Sequence, residues 1–66
     1  MSEHGDDLRR LALDSDDIAA DLHQLRHGVR VVRHVASRET MQATLDAAVE
    51  LVQGVGRLLR IEADDE

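Results

Sequence analysis

From Ile18 onward the apolar positions follow one rule. They fall at Ile18, Leu22, Leu25, Val29, Val32 and Ala36, in alternating steps of four and three. That spacing is a heptad seam, the mark of a helix packed along a neighbouring helix. A second series, Met41, Leu45, Ala48, Val52, Val55 and Leu59, repeats the same steps. Between the series Ala36 and Met41 are five apart, which would rotate the seam of one continuous helix by more than a quarter turn. A turn near 36–38 accounts for the break, and one long continuous helix is the alternative.

The polar positions supply ends for these elements. The stretch DSDDI over 14–18 reads as a helix start: Ser15 or Asp14 caps, and Asp16, Asp17 and Asp21 suit the positive end of the helix dipole. Arg26, Arg30, Arg33 and Arg38 gather toward the opposite end. For the second helix Ser37 is the expected cap, Glu39 lies in the first turn, and Arg57 and Arg60 lie in the last. Helices over about 15–36 and 38–61 follow, preceded by a short N-terminal helical turn that places Leu8 and Leu11 on one side. With no proline, nothing interrupts them sterically. The second helix is expected to continue through Gly54 and Gly56, since stopping near Gln53 would expose Leu58, Leu59 and Ile61. The polar ends, 1–7 and 62–66, are expected to fray.

Folding the chain back at the turn matches the two series. Ala36 meets Met41, Val32 meets Leu45, Val29 meets Ala48, Leu25 meets Val52, Leu22 meets Val55 and Ile18 meets Leu59, each pair of numbers adding to 77. The fold class is therefore all-α, one domain built as an antiparallel αα-hairpin. A ribbon-helix-helix alternative would make Val29–Val35 a strand, but adjacent Val31 and Val32 break its alternation. The hairpin carries more apolar surface than one seam can use. Thr44, Leu51 and Leu58 flank one side of the second seam and Val49 the other, while Val31 and Val35 add to the first helix. Such wide apolar faces belong to helices with two neighbours, so a second copy is expected, giving a homodimeric four-helix bundle. Its core and dimer interface would comprise Ile18, Leu22, Leu25, Val29, Val32, Met41, Leu45, Ala48, Leu51, Val52, Val55, Leu58 and Leu59.

Composition strengthens the case for assembly. At 66 residues, with no cysteine and no aromatic residue, the chain has neither disulfides nor large side chains to fill a core. Fourteen acidic residues stand against eight basic ones, all arginine, for a formal charge of −6. A chain so acidic is repelled as a whole by polyanions, although a local arginine patch is not. No apolar run approaches the roughly 20 residues of a membrane span, and MSEHGDD does not read as a signal peptide. A cytoplasmic protein with no membrane partner is the expectation.

Little in the chain suggests catalysis. GVG at 54–56 matches a fragment of a glycine-rich phosphate loop, but no strand precedes it, and structural helix glycines are the simpler reading. No serine sits in a nucleophile-elbow motif. His23 and His27 have the i, i+4 spacing that grips a metal from one helix face, yet no third ligand is indicated, so neither metal nor cofactor is expected. The more promising feature is the face formed by His23, Arg26, His27, Arg30 and Arg33. It suits a partner's carboxylates or phosphates, or else simply pairs with the chain's own acids. The hairpin also sorts charge, with acids at the open end and Arg30, Arg33, His34 and Arg38 toward the turn.

These features point to a small non-enzymatic homodimer that binds and modulates or inhibits a larger protein, in the manner of phage, plasmid or bacterial regulators. The alternative is RNA binding through the arginine–histidine face. In architecture alone the inferred dimer resembles the Rop-type plasmid primer repressors, helical-hairpin dimers that bind RNA across one bundle face. No residue motif supports kinship, and the lack of aromatics removes base stacking.

Overall fold

The computed structural model describes residues 3–65 and consists of two helices packed against each other. Helix α1 spans Glu3–Gly28, a short 3-10 turn covers Val29–Val31, and helix α2 spans Val35–Asp65. The hairpin is a thin rod with extents of 53 × 14 × 9 Å. The expected helical hairpin is present, but both helices are longer than the spacing suggested and the turn comes earlier.

Helix α1 runs straight through the DSDD segment. Ser15 is not a cap: it is buried mid-helix, and its hydroxyl donates to the carbonyl of Leu11 at 3.2 Å. The residues shielded on α1 are Gly5, Ala12, Ser15 and Ala19, with Leu8, Leu22, Arg26 and Val29 half-buried between and beyond them. On α2 they are Val49, Gly56 and Ala63, with Gln42, Leu45, Val52 and Leu59 half-buried in the same heptad. Gly56 fixes how these seams meet. A Cβ built there would lie 3.4 Å from Ser15 Cβ and 3.9 Å from the Ala12 carbonyl oxygen. Close backbone approach is the reason for glycine at this position.

Pairing Ser15 with Gly56 makes the facing numbers add to 71, not 77. The half-seam of small residues near the open end, invisible to a search for large apolar ones, decides the register. Leu22, Val29, Leu45, Val52 and Leu59 remain partly covered, but Ile18, Leu25, Met41 and Val55 leave the seam and are 50%, 56%, 44% and 52% exposed. Val49, expected on a flank, is instead the bulkiest buried side chain of the seam.

The turn also differs from expectation for readable reasons. Gly28 and the β-branched residues after it are weak helix formers, and Arg30 and Arg33 add like charge. The chain tightens, with Val32 N–H donating to Val29 O at 2.9 Å, and then extends at Val32 (φ −67°, ψ 123°). Val32 is thus a linker residue rather than part of a helical seam. His34 caps α2 in place of Ser37. Its Nδ1 accepts the Ser37 backbone N–H at 3.2 Å and lies 2.9 Å from the Ser37 hydroxyl. Arg38 donates back to the Val32 carbonyl at 3.1 Å and pins the linker to α2. At the other end, residues 3–7 and 62–65 are helical where fraying was expected, while Met1, Ser2 and Glu66 lie outside the described residues. No helix among the described residues is long and apolar enough to cross a membrane.

A core built from small residues shields little. The buried apolar residues are Ala12, Ala19, Val49 and Ala63, and no large side chain is fully buried. The accessible surface is 5082 Å². A compact monomer of 7.3 kDa would expose about 4,200 Å². The excess of roughly 900 Å² is close to the ~800 Å² that each partner buries in a standard protein interface.

Candidate interaction surfaces

The seam divides the hairpin into two unlike flanks. Starting from Ser15 on α1, Asp16 lies about 100° round the helix in one direction and Ile18 about 60° in the other. Residues on the Asp16 side repeat every seven: Arg9, Asp16 and His23, with Arg30 following in the 3-10 turn, where it meets His27. Those on the Ile18 side do the same: Leu11, Ile18 and Leu25.

The polar flank is laced by ion pairs. Among the described residues three cross between the helices: Arg9 Nη2 to Asp64 Oδ1 at 3.3 Å, Arg60 Nη2 to Asp16 Oδ2 at 2.6 Å, and Arg26 Nε to Asp46 Oδ1 at 2.5 Å. The last is a close ion pair without the alignment of a hydrogen bond, since Arg26 Nε is buried and lacks a bonded acceptor. The Arg9–Asp64 and Arg60–Asp16 pairs are about half exposed or more, so each contributes less than about 1 kcal/mol and chiefly fixes orientation.

The candidate partner-binding residues occupy this flank and the turn. His23 is exposed, and the exposed His27 places Nε2 2.7 Å from Arg30 Nη1. Arg26 is half-buried by its contact with Asp46, so it is a structural link as well as part of the face. Arg33 is exposed in the linker, displaced from the helical stripe that holds the others. Four of the five are thus brought together along one flank. The pairing acids Asp16, Asp46 and Asp64 and the cations Arg9 and Arg60 belong to the same surface. Sequence reading missed them because their alignment depends on the register that Gly56 sets.

The opposite flank is apolar. Leu11, Ile18 and Leu25 from α1 adjoin Met41, Val55 and, farther round, Leu51 and Leu58 from α2, the last two 72% and 67% exposed. Thr44 lies on this flank with its hydroxyl bonded to its own helix, donating to Thr40 O at 2.8 Å. Near the turn the surface dips into a groove of about 360 Å³ lined by Leu25, Val29, Thr40, Met41, Thr44 and Leu45. Its lining offers packing, with only two threonine hydroxyls as polar groups, and both donate within α2.

Among the described residues no three of His, Asp and Glu converge as metal ligands would. The depression at the open end, lined by Arg9, Leu13, Arg60 and Asp64, holds groups already engaged in ion pairs. The chain matches no protein-family model, no curated protein and no solved structure.

Proposed function

We propose that this chain is a non-enzymatic interaction module, a small helical homodimer that binds and modulates a larger protein. The observation that carries the reading is the opposition of two flanks on one thin rod: an apolar one that no described residue covers, and a charged one rich in arginine and histidine. The first suits permanent burial in an assembly. The second suits a reversible, charge-steered contact with a carboxylate-bearing surface. His23, His27 and Arg30 are the residues of that contact, with Arg33 reaching from the linker.

The test is affinity capture at physiological salt with the unaltered chain, compared with His27→Ala plus Arg30→Ala. A protein held by the first bait and lost from the second supports the reading. A bait that retains no protein, or retains the same protein regardless of these side chains, refutes it. Nucleic-acid binding is the second reading, favoured by the run 26–38, which holds four arginines and no acid. Salt-sensitive retention of RNA by the unaltered chain, abolished by Arg26→Ala plus Arg30→Ala, would replace the first reading with this one.

A further inference from the structure

We infer that the apolar flank is covered by a second copy of this chain lying head to tail, with the turn of each copy beside the helix ends of the other. This rests on the reading above that the chain is a homodimer, and adds the orientation. The area already argues for an occupant of this size, since the surface excess matches one side of a standard interface. Orientation is decided by symmetry and charge. Two hairpins stacked flank to flank can be related by a two-fold axis along the rod, turns together, or by one across it, turns apart.

An axis across the rod near its middle makes the apolar stripe complementary to itself. Ile18 lies near the midpoint of α1, and Leu11 and Leu25 stand seven residues to either side. With the axis at Ile18, the two copies of this residue meet, and each Leu11 lies over Leu25 of the other. The contact of Ser15 with Gly56 sets Ile18 level with Gln53 on α2. The same axis therefore brings Val55 over Leu51.

An axis along the rod also joins apolar groups, so packing alone does not choose. Charge does. Residues 22–49, the turn half, hold four arginines against two acids, Glu39 and Asp46, whereas residues 3–14 and 57–65, toward the open end, hold four arginines against seven acids. Asp6, Asp7, Glu62, Asp64 and Asp65 crowd the open end. Turns together would set arginine against arginine and carboxylate against carboxylate. Turns apart set the net-positive turn end of one copy beside the acidic helix ends of the other, and leave the charged flank outside the contact.

The chain has no cysteine, so a single spin label can be introduced without other changes. Val31→Cys is suitable, being 77% exposed beside the turn. In the head-to-tail dimer the two labels lie on the order of 40 Å apart, the length of the intervening helix at 1.5 Å per residue. A second variant, Ile18→Cys, should form an intermolecular disulfide on mild oxidation in more than half of the chains. Leu25→Cys alone should not, yet should cross-link to Leu11→Cys when the two variants are mixed. A dimeric mass with labels closer than about 25 Å, roughly the width of two stacked helix layers, would overturn the orientation while leaving the homodimer standing. A monomeric mass at micromolar concentration would overturn both.

Discussion

Replacing Ile18 by alanine separates a hairpin that stands alone from one that is half of an assembly. In the isolated hairpin Ile18 is 50% exposed. Full burial of an isoleucine side chain stabilises by about 1.5–3 kcal/mol, so the half still in water represents roughly 1 kcal/mol per copy. A symmetric dimer loses that amount twice, about 2 kcal/mol, which corresponds to a weakening of dimerisation of around thirtyfold. The control is Ile61→Ala. Ile61 is 59% exposed, much like Ile18, but lies about 140° round α2 from Gly56, on the side opposite Met41 and Val55. Its removal should change the dimer dissociation constant by less than about threefold, within the usual range for exposed sites. Sedimentation equilibrium over a dilution series measures both constants, and circular dichroism confirms that helicity is retained. Equal effects from the two substitutions would refute the reasoning, as would a native mass of 7.3 kDa at every concentration.

Further outcomes follow from the seam and the ion pairs. Gly54→Ala should stabilise by about 1 kcal/mol, because helix propensity improves and the new methyl meets only Arg57 Nη2 at 3.8 Å; thermal denaturation should show a midpoint higher by about 4–8 °C. Gly56→Leu should destabilise by about 2 kcal/mol or more, since even a Cβ there already touches Ser15 at 3.4 Å; urea titration reads the loss, and unchanged stability would displace the register proposed for the seam. A double-mutant cycle on Asp16→Asn and Arg60→Gln should return a coupling below about 1 kcal/mol that fades with salt; a larger, salt-insensitive coupling would mean that this flank is shielded from solvent.

The class of the fold was legible because a 4-3-4-3 spacing is specific to packed helices: the second series lies wholly on α2, and the first lies on α1 as far as Leu25. Its register was not. Pattern reading weights leucine, isoleucine and valine, whereas the seam near the open end is made of Gly5, Ala12, Ser15 and Ala19, which carry little hydropathy signal. Ser15 shows the difficulty well: flanked by aspartates it has every local feature of a cap, yet the same small size lets it sit against Gly56. The turn comes earlier than the spacing predicts for a related reason: Val29 and Val32 continue the apolar series after the backbone has left the helix. Of the arginine–histidine face read on one helix, His23, Arg26 and His27 lie on α1, whereas Arg30 falls in the 3-10 turn and Arg33 in the linker. The partners of that face on α2 were not legible, since Asp46 and Arg60 join that surface only in the observed register.

The arrangement of large and small residues then has a consequence for how the protein works. Small side chains let the helices approach closely, but they remove little apolar area from water, and the aliphatic bulk stands outside on one flank. In the proposed dimer, folding and assembly form a single equilibrium, so the melting temperature should rise with protein concentration. A larger partner can act on that equilibrium in two distinguishable ways. If it binds the charged flank, it leaves the apolar flank paired, raises the melting temperature, and adds its mass to two copies of the chain. If it competes for the apolar flank, it splits the dimer and adds its mass to one copy. Light scattering on the complex reads this stoichiometry directly. Two copies per assembly are expected from the charged-flank reading, and a one-to-one complex would move the functional site to Leu11, Ile18 and Leu25.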